Sequence, residues 1–173
     1  NIILDMDGHK ITVTDSFVSR IFTNNGTLTI KGNGTIDVTA ADANGYGAVN
    51  NFGTLTVVDG TYKALKETDA YIFYNRSGGT VIFENPTVEG GCGAIATQIN
   101  TTTEIHGGSY SDETYPTIEN RGNMLITGGT FKNTSCSSCD GRWGYTIRSG
   151  ESSDTAYLKI QGETEDSVKV TGV

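Results

Sequence analysis

A short phrase recurs along this chain, and it constrains the fold more than any other feature. GTLTI at 26–30 returns as GTLTV at 53–57. Looser copies are GTVIF at 79–83, TTTEI at 101–105 and GNMLI at 122–126. A second phrase follows each one: GTI from Gly34, GTY from Gly60, PTV from Pro86, GSY from Gly108 and GTF from Gly129. The last apolar residues of the first phrase are Ile30, Val57, Phe83, Ile105 and Ile126, at intervals of 27, 26, 22 and 21 residues. Met6 and Ile160 extend the series as an earlier and a later copy. Self-similarity at this period marks a repeat architecture, in which each unit is completed by its neighbours.

Within a period the runs alternate. Leu55 and Val57 point one way, and Thr54 and Thr56 the other, which is the periodicity of a strand. Gly, Asn and Asp separate the runs, as tight turns require. Three short strands per period cannot bury a face alone, but stacked copies can. The expected fold is therefore all-β: a single parallel β-helix of about six or seven rungs over 1–173, with no helix longer than two turns. Leu28, Leu55, Val81 and Met124 form one inward column. Ile30, Val57, Phe83, Ile105 and Ile126 form a second, and Ile36, Tyr62, Val88, Tyr110 and Phe131 a third. The competing architecture is an antiparallel sandwich, which also alternates but does not repeat the same words at this period. Asparagines before the anchor strand (Asn24, Asn50, Asn51, Asn75, Asn100, Asn120) read as turn residues that tolerate the left-handed conformation, rather than as a polar binding ladder.

Composition narrows the function. The net charge is −8, and an acidic surface without clustered Lys and Arg argues against nucleic acid as a partner. No apolar stretch approaches a membrane span. The 23 glycines and 2 prolines suit many turns and uninterrupted strand ladders. The sequence opens in the middle of a rung-like phrase, NIILDMDGHKITV, as expected for a piece of a longer chain whose cap lies elsewhere.

Period length varies at one place only, after the second phrase. The extra residues are 39–47, 63–71, 89–93, 111–116 and 132–145, so one edge of a coil should carry them all as a ragged flank. Tyr46, Tyr71, Tyr115, Trp143 and Tyr145 lie in or beside these segments, together with Asp42, Glu67, Asp69, Asp112, Glu113 and Asp140. Aromatic rings beside acids suit sugars, so these five aromatics are the candidate ligand-binding residues. The alternative is ordinary loop variation with the rings packed over the coil.

Catalytic chemistry is hard to place. Cys136 and Cys139 form CSSC in a Ser/Gly-rich loop, without the helix a redox motif uses or the further ligands zinc needs. They read as a small disulfide pinning the loop or as two free thiols, with the bridge expected under oxidising conditions. Cys92 reads as a small buried side chain. No metal site and no cofactor are expected. His106 occupies the slot of Lys31, Val58, Glu84 and Thr127, an outward surface position. Asp5 with Asp7, and Asp112 with Glu113, are the carboxylate pairs available for glycoside hydrolysis, but neither forms a recognised motif.

The NNGTLTI and NFGTLTV copies, the DGTY phrase and the NIILDMDGHKITV opening resemble the right-handed parallel β-helix repeats of the pectin-lyase-like group. They are similar in particular to those of bacterial surface proteins and phage appendages. The resemblance implies a right-handed coil, an extracellular setting on a virion or a bacterial cell, and a homotrimer as the oligomer. Enzymes of that group carry paired aspartates, a GHG-type histidine and basic residues, and this set does not map onto the chain. The expected function is accordingly a non-catalytic rod for display or adhesion, with glycans or a host surface as partner. A polysaccharide-degrading β-helix and a purely structural spacer are the alternatives.

Overall fold

A computed structural model describes residues 1–13, 20–39, 47–64, 71–134, 145–151, 154–164 and 167–172. Twenty strands are dealt in rotation to three parallel sheets. Sheet 1 stacks β1 (Ile2–Asp5), β4 (Thr27–Lys31), β7 (Thr54–Val57), β10 (Thr80–Phe83), β13 (Thr102–Ile105), β16 (Asn123–Ile126) and β19 (Tyr157–Ile160). Sheet 2 stacks β2 (Lys10–Thr12), β5 (Thr35–Asp37), β8 (Thr61–Lys63), β11 (Thr87–Glu89), β14 (Ser109–Asp112), β17 (Gly129–Asn133) and β20 (Val168–Thr171). Sheet 3 stacks β3 (Phe22–Asn24), β6 (Val49–Asn51), β9 (Phe73–Asn75), β12 (Ile95–Thr97), β15 (Ile118–Asn120) and β18 (Ile147–Ser149). The chain is a parallel β-solenoid. Its seven, seven and six strands per face agree with the expected number of rungs. Among the described residues there is no helix, hence none long and apolar enough to cross a membrane.

Register explains why the phrases repeat. Ile30, Val57, Phe83, Ile105, Ile126 and Ile160 are successive partners down sheet 1. Ile36, Tyr62, Val88, Tyr110 and Phe131 are successive partners down sheet 2. Each of the three expected columns is buried throughout. Met6 is not the first anchor, because Leu4 pairs with Ile30. Met6 is buried two residues further on. A slip of two preserves the inward face in a strand, so apolar alternation alone does not separate these two registers.

Sheet 3 supplies a further inward column, Phe22, Val49, Phe73, Ile95, Ile118 and Ile147. Where the three sheets meet, aromatic rings run along the interior. Tyr62 and Phe73 are 4.8 Å apart, Phe73 and Phe83 5.0 Å, and Tyr110 stacks on Phe131 at 5.0 Å. Each such pair contributes about 0.5–1.5 kcal/mol beyond the area it buries.

The asparagines serve a different purpose from the turn role expected of them. Asn24, Asn51, Asn75 and Asn120 end their strands pointing inward and are buried. Asn24 Nδ2 donates to Asn51 Oδ1 (2.7 Å), Asn51 Nδ2 to Asn75 Oδ1 (2.9 Å), and Asn75 Nδ2 to Thr103 Oγ1 (3.1 Å). Thr97 continues the line, donating to Asn120 Oδ1 at 2.9 Å. Of the six, only Asn100 has a positive φ, at 60°. The repeated position is a hydrogen-bonded ladder inside the coil, where a side-chain amide can serve the carbonyls of a corner whose strands have diverged.

Candidate functional site

The longest insertions fall between a sheet 2 strand and the next sheet 3 strand, on one edge of the coil, as the sequence implied; shorter ones fall at the other corners, such as those between β18 and β19 and between β19 and β20. Of the five candidate aromatics, Tyr46 and Trp143 lie outside the described residues, as do Cys136 and Cys139. Tyr115 is half-buried, its N–H donating to Asp112 Oδ1 (2.7 Å) and its carbonyl accepting from Asn133 Nδ2 (2.7 Å). Tyr145 is 51% exposed. It stands three rungs beyond Tyr71, roughly 14 Å at the spacing of paired strands. Tyr71 lines a pocket, and that pocket opens onto the outer face of sheet 3.

The pocket is a notch of about 180 Å³ lined by Arg20, Tyr71, Tyr74, Ala96, Thr97, Glu119 and Arg121. Its origin is a size step. The outward residues of β9, β12 and β15 are Tyr74, Ala96 and Glu119, paired in register, so alanine leaves a gap between two larger side chains. The corner side is walled by Arg20 and Tyr71, and both depend on glycine. A Cβ on Gly93 would stand 2.4 Å from the Tyr71 ring, and one on Gly47 would stand 3.1 Å from Arg20 Nε. The opposite wall is Arg121, immediately after the buried Asn120.

The walls are held by their neighbours. The Tyr71 hydroxyl donates to Glu119 Oε2, and burial together with that carboxylate pushes its pKa well up. Arg76 lies over the Tyr74 ring with Cζ 3.8 Å from the centroid, while its Nε donates to Asn50 Oδ1 at 2.7 Å. Arg20 approaches the same ring at 5.8 Å. Burial, then the nearby Arg76 charge, depresses the Arg20 pKa, as two cations sharing one ring must. Arg121 donates to both oxygens of Asp154, through Nε at 2.6 Å and Nη2 at 3.2 Å. Those bonds raise its pKa. Arg148 bridges Glu151 (2.8 Å) and approaches Glu119 (3.9 Å). The notch thus offers guanidinium donors, a carboxylate acceptor and aromatic walls on a rigid sheet.

Sequence reading missed Arg20, Tyr74, Arg76, Glu119 and Arg121. A signal was present for most of them. Tyr74-Asn75-Arg76 and Glu119-Asn120-Arg121 are the same repeat slot two rungs apart.

Beyond the same corner, on sheet 2, an open groove of about 440 Å³ runs past Lys63, Glu89, Ser111, Asp112, Glu113 and Lys132. Lys63 and Glu89 pair across it at 2.9 Å. Asp112 is 1% exposed and points inward, accepting the N–H groups of Thr114 (2.6 Å) and Tyr115 (2.7 Å). Burial raises its pKa to about 6 against the pull of those N–H groups. Of the other candidate acids, Asp5 pairs with Lys31 at 3.1 Å and accepts the Asp7 N–H, so it works within the sheet 1 surface. His106 is on that surface too, between Glu84 (2.9 Å) and Glu104 (3.1 Å), whose carboxylates raise its pKa. Cys92 is buried, as expected of a small side chain there. Among the described residues no cluster of His, Cys, Asp and Glu is placed to hold a metal ion.

Asp112 makes a pH prediction. Its carboxyl binds a proton more readily folded than unfolded, so folding gains stability as pH falls through about 6 towards the ordinary value of 3.8. About two pH units at ~1.4 kcal/mol each give at most about 3 kcal/mol. The melting temperature is expected to rise from pH 7 to pH 5. Protonation of His106 acts in the same direction, being favourable at low pH and lost as pH rises. The increment specific to Asp112 should vanish in Asp112→Asn, which keeps an acceptor for both N–H groups. Parallel melting curves of the two proteins against pH decide it.

No family model, no curated protein and no solved structure matches the chain.

Proposed function

We propose that this coil is a non-catalytic, rod-like module displayed outside a bacterial cell or on a virion, where it holds glycans at the notch over Ala96. The notch carries the reading. It is built from side chains fixed on a sheet, beside the edge that carries the longest insertions, and it joins aromatic rings to hydrogen-bonding groups as sugar sites do. The resemblance of the repeat phrases to surface and appendage β-helices supports the setting and makes a homotrimer the oligomer to test. A shallow notch of this size gives modest single-site affinity, which repetition on a surface multiplies.

The test is a glycan array probed with a multimerised form of the chain. Binding is expected, with loss in Ala96→Leu, which fills the gap, and weakening in Tyr71→Phe, which releases Glu119. Strong binding indifferent to both substitutions would place the sugar elsewhere. A second reading, polysaccharide cleavage in the sheet 2 groove, draws on the raised pKa of Asp112 at its edge. Unsaturated or reducing ends released from polysaccharide by the wild type, and not by Asp112→Asn, would establish it and overturn the non-catalytic reading.

A further inference from the structure

Positive charge on this protein is sorted by chemistry. The described lysines Lys10, Lys31, Lys63, Lys132, Lys159 and Lys169 all lie on strands of sheets 1 and 2. The described arginines Arg20, Arg76, Arg121 and Arg148 all lie on strands of sheet 3 or within two residues of one. The lysines serve ordinary surface pairs, such as Lys10 with Asp37 (2.8 Å) and Lys63 with Glu89 (2.9 Å). Arginine differs from lysine in presenting a planar fork of donors, and it is the side chain of choice for oxyanion recognition. Four guanidiniums face three carboxylates here, Glu119, Glu151 and Asp154, on a chain whose net charge is −8. Among the described residues, sheet 3 is the face where the positive charge is carried by arginines, four beside three carboxylates, so an anion meets guanidinium forks there.

Resting on the glycan reading of the notch, we propose that the ligand is a phosphorylated sugar or polyol, with its phosphate seated over Ala96 between Arg20 and Arg121. The two guanidiniums stand on opposite walls, one on the corner side and one after the buried asparagine. A tetrahedral phosphate presents oxygens in more than one plane and so can accept from both forks at once. Arg121 is already aimed, because Asp154 engages its Nε and Nη2. Arg76, stacked on Tyr74, adds field without entering the notch. Glu119 would repel a bare phosphate at contact, and that is why the ligand needs hydroxyls. A hydroxyl next to the phosphate donates to Glu119, whose other partners are the Tyr71 phenol and Arg148. Charge is supplied by the arginines and selectivity for a hydroxylated carrier by the acid.

The experiment is titration of the whole chain, followed by calorimetry and amide chemical shifts, with five probes: glucose, glucuronate, glucose 1-phosphate, glycerophosphoglycerol and inorganic phosphate. Both organic phosphates are expected to bind at least 10-fold tighter than glucose and glucuronate, with shifts centred on Ala96, Glu119 and Arg121. The monoester and the diester separate a terminal phosphate from a polymer backbone. Raising salt from 50 to 200 mM should weaken them and leave any glucose binding unchanged. Arg20→Gln should cost at least 10-fold for the phosphates alone. Ala96→Leu should abolish all binding, and circular dichroism confirms that each variant is folded. Equal binding of glucose and glucose 1-phosphate overturns the phosphate assignment and leaves the glycan reading standing, as does preference for glucuronate. Inorganic phosphate bound as tightly as the sugar phosphate overturns the role of the hydroxyls. Absence of binding by every probe, with a negative array, removes both readings.

Discussion

Leu55→Asp is expected to prevent folding, whereas Thr56→Asp, one residue along the same strand, should shift the melting temperature by only a few degrees. Leu55 is fully buried, with Leu28 and Val81 as its partners on the flanking strands. Truncating such a leucine costs about 2–5 kcal/mol by itself. Placing a carboxylate there adds several kcal/mol more, since the flanking column offers it no donor. The sum is comparable to the ~5–15 kcal/mol that holds a typical domain together. Thr56 points outward on β7, and its replacement changes strand preference by at most ~1 kcal/mol. Urea melts followed by far-ultraviolet circular dichroism separate the two. Equal shifts would mean that the inward and outward faces of sheet 1 have been exchanged.

The contrast between those neighbours also shows why the fold could be read from the sequence. In a solenoid each buried column is written out once per rung, so Ile30, Val57, Phe83, Ile105 and Ile126 report the same environment five times over. Sheet 3 was less legible. Its inward column, Val49, Phe73, Ile95 and Ile118, follows the segments of variable length, so no fixed interval from the anchor finds it. The notch was least legible, because it comes from a break in the pattern. An outward alanine is unremarkable in a list of residues and becomes a cavity only between Tyr74 and Glu119. The expected aromatic flank led to Tyr71 because insertion edges can be located by counting. Arg20 comes from before its sheet 3 strand and Arg121 from after its own, on rungs far apart in sequence, and the stacking of the coil alone brings them to one notch.

The asparagine ladder carries the second large expectation. Asn51→Ala should lower stability by about 3–5 kcal/mol, although it removes no apolar surface of consequence. Asn51 is 1% exposed. Its Oδ1 accepts from Asn24 Nδ2 at 2.7 Å, and its Nδ2 lies within reach of Asn75 Oδ1 (2.9 Å), Gly53 O (2.9 Å) and Thr80 O (3.1 Å). Alanine leaves these groups buried without that partner, and each orphaned group costs about 1–3 kcal/mol. Asn51→Asp keeps the shape but can no longer donate, and it sets an anion against three acceptors, so it should be at least as damaging. Asn50→Ala is the internal control. Asn50 points outward on the same strand and accepts one bond, from Arg76 at 2.7 Å, so its loss should cost about 1 kcal/mol. The damage should also be local in origin. Because rungs are coupled through nearest neighbours, amide exchange in Asn51→Ala should accelerate first in β3, β6 and β9, ahead of β15 and β18. Uniform acceleration along the whole coil would mean that it unfolds as one unit. Equal melting shifts for the Asn50 and Asn51 variants would mean that the ladder adds nothing a surface hydrogen bond does not.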